Sequence, residues 1–286
     1  MQQDEPAGKG NSQGGRPVCF ASHGRWEGGS VAVLPHGRIT RSQLRREDGR
    51  PPVLVVVINH GHNAEALGLK ARLGPRTLAI DSGSALSDAE RAGFDLALPN
   101  VYYSGLMNEI AALLEGRPGE DSALVWSSDV RHPDPAWAAE RCREVMSDPN
   151  VGLYAPSARP SSHIQMRACG RAGTRRVTFV EGFCFAARRE LFQGLCPIDT
   201  TVNAMGWGLD VHLGYLARRL GYAALVDHDV VVETDRGSGY DRLRARDERD
   251  AWYRTLPASA RLFRRLSCSA PLQMRLGMPL VLALPW

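Results

Sequence analysis

Residues 53–58, VLVVVI, form an uninterrupted apolar run, too short for a helix of ordinary length and rich in β-branched side chains. Such a run predicts a strand buried on both faces, as in a parallel sheet. The following NHGHNAEALGLKARLG supplies a turn and an Ala/Leu-rich helix, and TLAID at 77–81 begins a second strand, closed by SGS. SDAERAG reads as a short helix before FDLALPN. In SGLMNEIAALL at 104–114, Leu106, Ile110, Leu113 and Leu114 share one helical face, with Asn108 and Glu109 elsewhere. SALVWSSD is a further strand, 135–146 a helix and VGLYAPS at 151–157 a strand. RRVTFVEGFCFAARRELF then predicts a strand, a turn and a helix, GLDVHLGYLARRLGY a helix, and AALVDHDVVVET a last strand. This alternation predicts an α/β protein with a mostly parallel central sheet flanked by helices. Residues 1–15 show no regular apolar pattern, and 16–52 hold one short strand candidate at 30–34.

Composition narrows the class. With 286 residues and 43% hydrophobic content the chain can bury a substantial core, so fibrous and wholly disordered classes are excluded. The longest apolar runs, at 53–58 and 279–286, fall far short of the roughly 20 residues of a membrane span. The first residues, MQQDEPAGKGNSQGG, lack the basic and apolar order of a secretory signal, and a cytoplasmic location is expected. The net charge of +4 rests almost wholly on Arg, since Lys occurs only at Lys9 and Lys70. None of the six cysteines stands in a CxxC pair, which predicts reduced structural thiols and no zinc-organised fold.

In open α/β sheets, ligands meet the loops after the carboxyl ends of the strands. Asp81 ends a strand on DSGS, where its carboxylate can receive a nucleoside or simply hold a turn that Gly83 permits. Asn59 to Asn63, NHGHN, follow the first strand and border the same region. Neither GxGxxG nor GxxxxGK(S/T) occurs there, which counts against dinucleotide oxidoreductases and P-loop ATPases. Asp129 closes ALVWSSD and is a candidate for a divalent cation or for a turn and helix-cap role. Asp210, in GWGLDVHL, is either an acceptor of a substrate proton or a cap.

The order of these elements over about residues 53–240 resembles the GT-A glycosyltransferases, particularly glycosyltransferase family 2. VLVVVINHGHN resembles the family's first strand, IDSGS its second strand and turn, ALVWSSDV its D-x-D strand, GFCFAARRELF its acceptor-side strand and helix, and GWGLDVHLGYLARRLGY the region of its late carboxylate. The resemblance implies a nucleotide-diphospho-sugar transferase fold and transfer of a sugar to a hydroxyl acceptor by inverting displacement. It implies that Asp81, with Asn59 nearby, holds the nucleotide, and that Ser128 and Asp129 face the diphosphate. Asp129 would hold Mg2+ or Mn2+, with Glu233 or Asp235 replacing the family's late histidine as a further oxygen ligand. Asp210 would be the base, and Trp207 and Gly208 would shape the acceptor side. The sequence departs from the family in reading Ser127, Ser128, Asp129 for D-x-D and Leu209, Asp210 for the late E-D. His228 is assigned to a structural place at a strand end.

Three segments are therefore expected: a tail and extension at 1–52, a catalytic domain at 53–240 and a helical arm at 241–286. In the arm, Trp252, Leu256, Leu262, Phe263 and Leu266 are expected to pack onto the catalytic domain or support a homodimer. Its arginines offer peripheral membrane or acceptor contact, diluted by Asp241, Asp247, Glu248 and Asp250, and no nucleic-acid motif is present. The rival functions are a nucleotidyltransferase acting on a sugar phosphate, which would release pyrophosphate, and a noncatalytic carbohydrate-binding or assembly protein.

Overall fold

A computed structural model describes residues 52–234 and 241–268, all of which fall in one compact unit. The strand candidate at 30–34, the run at 279–286 and Asp235 lie outside the described residues. The first half of the chain builds a parallel block from β1 (Val53–Asn59), α1 (Asn63–Leu73), β2 (Thr77–Ser82), α2 (Asp88–Gly93), β3 (Leu96–Leu98), α3 (Tyr102–Glu115) and β4 (Ser122–Ser127). Its strands lie in the order β3-β2-β1-β4. Beyond β4 come β5 (Val130–Arg131), α4 (Pro135–Met146), β6 (Val151–Arg159), β7 (Thr174–Val177), β8 (Cys184–Arg188), α5 (Arg189–Leu195), α6 (Leu209–Arg219) and β9 (Ala223–Thr234). Here the sheet becomes mixed: β8 runs antiparallel between β4 and β6, β9 lies parallel to β6, and β5 and β7 pair antiparallel with β9.

The continuous apolar run of β1 is explained by helices on both faces. Leu54, Val56 and Ile58 join a core with Leu106 and Ile110 of α3, Leu191 of α5 and Leu213 of α6. Val53, Val55 and Val57 join a second core with Ala66 and Leu69 of α1 and Ala139 and Cys142 of α4. Alternation of side chains along a strand divides the run between the two. Local signals set the helix starts. Ser87 and Glu90 form a capping box on α2, and the Asp134 carboxylate caps α4 at Trp137 N–H, 3.0 Å, with Pro135 next. All five described cysteines carry free thiols, Cys169 and Cys268 on exposed residues, and no described helix is long and apolar enough to cross a membrane.

The arm continues as α7 (Arg242–Thr255) and α8 (Ala258–Cys268). Trp252 is buried in the main core, and Phe263 packs with Phe179, Val211 and Tyr215 against α6. Leu256 and Leu266 are half-buried, but Leu262 is 49% exposed and does not join this packing. The helical turn carries it to the solvent side while neighbouring Phe263 points inward.

His212 of α6 lies buried between the Tyr215 ring, stacked at 5.5 Å, and the edge of Trp252 at 5.2 Å, and its Nδ1 has no hydrogen-bond partner among the described residues. Burial pushes its pKa down to about 4. The unfolded chain therefore takes up this proton below about pH 6.5 while the folded chain does not. Stability linked to His212 is complete above pH 6.5 and should fall by roughly 2–3 kcal/mol on acidification to about pH 4.5. Urea melts of the wild type and His212→Phe at pH 7.5 and 4.5 should show a smaller acid loss in the variant; equal losses would refute this origin.

Candidate active site

Adjacent strand ends form the first half of the site. Asn59 and Asp81 are register partners at the ends of β1 and β2, and both are buried. Asn59 Nδ2 donates to Asp81 Oδ1 at 2.8 Å and to Asn63 Oδ1 at 2.9 Å, while its Oδ1 accepts from the Ser128 hydroxyl at 2.8 Å. The Asp81 carboxylate also accepts from Ser84 N–H, 3.0 Å, and from the Ser84 hydroxyl. Asp81 is only 1% exposed, so these bonds use its oxygens to fix the turn at 81–84. Gly83 is required in that turn: its φ is +75°, and a Cβ would stand 2.6 Å from that of Asn100. The structure thus brings together Asn59, Asp81 and Ser128 as one hydrogen-bonded floor.

Asp129 follows Ser128, is half-exposed and hydrogen-bonds to none of the described residues. Asp134, not Asp129, caps α4, which removes the capping alternative. Antiparallel pairing sets Val130 opposite Thr234 and Arg131 opposite Glu233, so the described end of β9 reaches the strand that begins just after Asp129. Glu233 is exposed, with Arg131 and Arg159 as its register partners. Among the described residues no three His, Cys, Asp or Glu side chains converge to hold a metal ion.

The second half is built around Asp210. Asn203 shapes the preceding loop, accepting from Gly206 N–H at 3.0 Å and donating to Trp207 C=O at 3.2 Å. Gly208 caps α6 with φ +88°, leaving Asp210 in the first turn, where its carboxylate accepts from Val211 N–H at 2.8 Å. Trp207 and Gly208 are half-buried beside it. Desolvation raises the Asp210 pKa to about 6, opposed by the charge of His163 and the Val211 N–H and reinforced by Glu181. Glu181 is 8% exposed, accepts from the hydroxyls of Ser161 (2.6 Å) and Ser162, and lies 3.9 Å from His163 Nε2.

The arm holds this loop from outside. Tyr253 OH donates to Gly208 C=O at 3.0 Å, Glu248 accepts from Met205 N–H at 2.9 Å, and Arg249 stacks over Trp207 at 5.9 Å. The two halves meet through 181–183: Ser127 N–H donates to Phe183 C=O at 2.8 Å, and Tyr103 OH to Gly182 C=O at 2.6 Å. Sequence reasoning missed Glu181, His163, Glu248 and Tyr253. Of these only Glu181 left a signal, an acid inside the apolar run FVEGFCF. His228 sits apart, buried in β9 with Cys169 Sγ 3.7 Å from its ring, and burial lowers its pKa, in line with a structural place.

The parallel β-block with the antiparallel β8 beside β4, flanked by helices, is a GT-A-like α/β fold. Among solved structures, the chain matches GalNAc-T7, crystallised with UDP, GalNAc and Mn2+, at a TM-score of 0.50 and 14% identity, over 78% of this chain and 56% of that one. The chain thus spans little more than half of that protein. Glucosyl-3-phosphoglycerate synthase from Mycobacterium tuberculosis, solved with Mg2+ and UDP, aligns at a TM-score of 0.49 and 15% identity, over 78% of this chain and 86% of that one. No family model matches the sequence, and no curated protein matches it.

Proposed function

We propose that this chain is a nucleotide-sugar-dependent glycosyltransferase. The observation that carries the reading is the Asp210 carboxylate, half-buried at the opening of α6 with its pKa raised to about 6, in a site whose other half ends in the carboxylate of Asp129, which pairs with none of the described residues. A base with this affinity is ionised at neutral pH and still strong enough to draw a proton from a hydroxyl in the transition state. In the proposed step the acceptor oxygen attacks the anomeric carbon of the donor sugar, its proton passes to Asp210, and the bond from that carbon to the diphosphate oxygen breaks. One direct displacement inverts the anomeric centre.

Asn59, Asp81 and Ser128 form the floor on which the nucleotide lies, and Trp207 and Gly208 line the acceptor side. Asp81 acts through the turn it fixes, since its oxygens already accept internal bonds. The single carboxylate of Asp129 suits a divalent cation whose other ligands are diphosphate oxygens and water, the usual manner of Mg2+, with Glu233 or Asp235 as an added ligand. Such a cation would neutralise charge on the departing nucleoside diphosphate. The like fold of GalNAc-T7, solved with UDP, GalNAc and Mn2+, supports this reading. We take α7 and α8 as part of the catalytic unit, because Glu248 and Tyr253 hold the loop leading to Asp210.

Incubation with a panel of nucleotide sugars, hydroxyl acceptors and divalent ions should yield transferred sugar and nucleoside diphosphate. Pyrophosphate release from a nucleoside triphosphate would instead select nucleotidyl transfer. Asp129→Ala should weaken donor binding by about 10- to 100-fold, the equivalent of one lost charge-assisted contact of roughly 1.5–3 kcal/mol. Calorimetric titration with the donor in Mn2+ checks this, and unchanged affinity would remove Asp129 from the donor site.

A further inference from the structure

We propose that Glu181, held by the hydroxyls of Ser161 and Ser162 and paired with His163, is a positioning residue that presents the Asp210 carboxylate to the acceptor hydroxyl. The inference rests on the glycosyltransferase reading and assigns its base a partner. The geometry begins one turn along α6. Gly214 lies four residues after Asp210, on the same helical face, and so close to the chain at 178–179 that a Cβ would be 2.4 Å from Thr178 O and 2.6 Å from Phe179 Cβ. This contact seats the Asp210 face of α6 against the stretch that continues to Glu181. The Phe179 ring meets His163 edge-on at 4.9 Å, fixing the imidazole beside the same stretch.

Glu181 is fastened more firmly than a surface acid, with a hydroxyl on each carboxylate oxygen. A fixed anion whose field reaches Asp210 repels a second negative charge there, which raises the proton affinity of the base and favours a carboxylate turned away from Glu181. The charge of His163 acts on Asp210 in the opposite sense. From the arm, Tyr253 and Cys268 also face Asp210, with Arg249 and Arg264 beside them. Neither thiol nor phenol bears charge at neutral pH: burial raises the Tyr253 phenol, and the thiol of Cys268, an exposed residue at the end of α8, is raised to about 11 where the neighbouring chain shields it.

The test uses the full chain with 13C-labelled aspartate carboxyls, the Asp210 resonance being the one absent from Asp210→Asn. In Glu181→Gln the Asp210 midpoint should fall by roughly one pH unit, and the acid limb of the kcat profile should fall with it while the donor KM stays unchanged. Glu181→Asp, which keeps the charge, should return the midpoint toward the wild type. His163→Gln should move it upward and serves as the second variant if Glu181→Gln does not fold. A midpoint unmoved in the folded variants, or moved equally by Glu181→Gln and Glu181→Asp, would overturn the proposal. If no donor and acceptor pair supports transfer yet the midpoint moves as stated, the glycosyltransferase reading fails and the pairing stands. If sugar is transferred and the midpoint stays put, the pairing fails and the glycosyltransferase reading stands.

Discussion

Asp210→Asn is expected to lower sugar transfer by about 10²- to 10⁴-fold, the usual contribution of a general base, while leaving donor affinity intact and making the protein more stable above pH 6. The amide can still accept from Val211 N–H, so the first turn of α6 keeps its local bond. It cannot take the acceptor proton. The stability gain follows from the raised pKa of about 6. Below about pH 4 the carboxyl is protonated both folded and unfolded, and ionisation adds no penalty. As pH rises toward 6 the unfolded chain releases a proton that the folded chain retains, so the folded state loses stability, and the loss is complete above pH 6. The full shift corresponds to about 3 kcal/mol, and the partial exposure of Asp210 reduces this to roughly 1–2 kcal/mol. An Asn, neutral at every pH, recovers that amount at pH 8 and nothing at pH 3.5. Urea melts at the two pH values, with transfer and donor titration at pH 8, check both halves. Wild-type transfer by the folded variant would remove Asp210 from the base role; a loss of transfer without a pH-dependent gain would place the carboxylate in a wetter setting than the structure shows.

This coupling explains which parts of the site could be read from sequence. Asn59, Asp81 and Asp129 end strands whose apolar runs are strong local signals, and adjacent parallel strands deliver their ends to one edge without further information. Asp210 was legible because Gly206 and Gly208 interrupt the pattern just before a helical repeat. Glu181 and His163 were not, because the influence of their charges on Asp210 depends on how α6 packs on the chain at 178–179, which no periodicity encodes. The antiparallel insertion of β8 between β4 and β6 was equally hidden, since an apolar strand looks alike in either direction. So was the hold of α7 on the loop before α6: in the sequence Glu248 counted only as one of the acids diluting the arginines of the arm, whereas it is committed to Met205 N–H.

Gly214→Ala should therefore cost far more than one methyl group suggests. In an exposed helix the change would stabilise by about 1 kcal/mol through propensity. Here the added Cβ meets backbone, 2.4 Å from Thr178 O and 2.9 Å from Phe179 Cα, and neither can rotate away. The helix must shift, at an overpacking cost of roughly 1–3 kcal/mol that offsets or exceeds the propensity gain. Asp210, one turn nearer the helix start, shifts with it, and a misplacement of about 1 Å can lower a rate on the order of 100-fold. Donor affinity should hold, because Asn59 and Asp81 stand on β1 and β2 and Ser128 and Asp129 in the turn between β4 and β5, away from α6 in sequence. The control is Gly68→Ala in α1, where a Cβ meets nothing within 4 Å; it should gain up to about 1 kcal/mol and transfer sugar at the wild-type rate. A Gly214→Ala protein with wild-type transfer and the same stability gain as Gly68→Ala would show that α6 does not need this close seat. A selective loss of kcat with donor binding preserved would tie the rate to the distance between one helix and the chain beneath it.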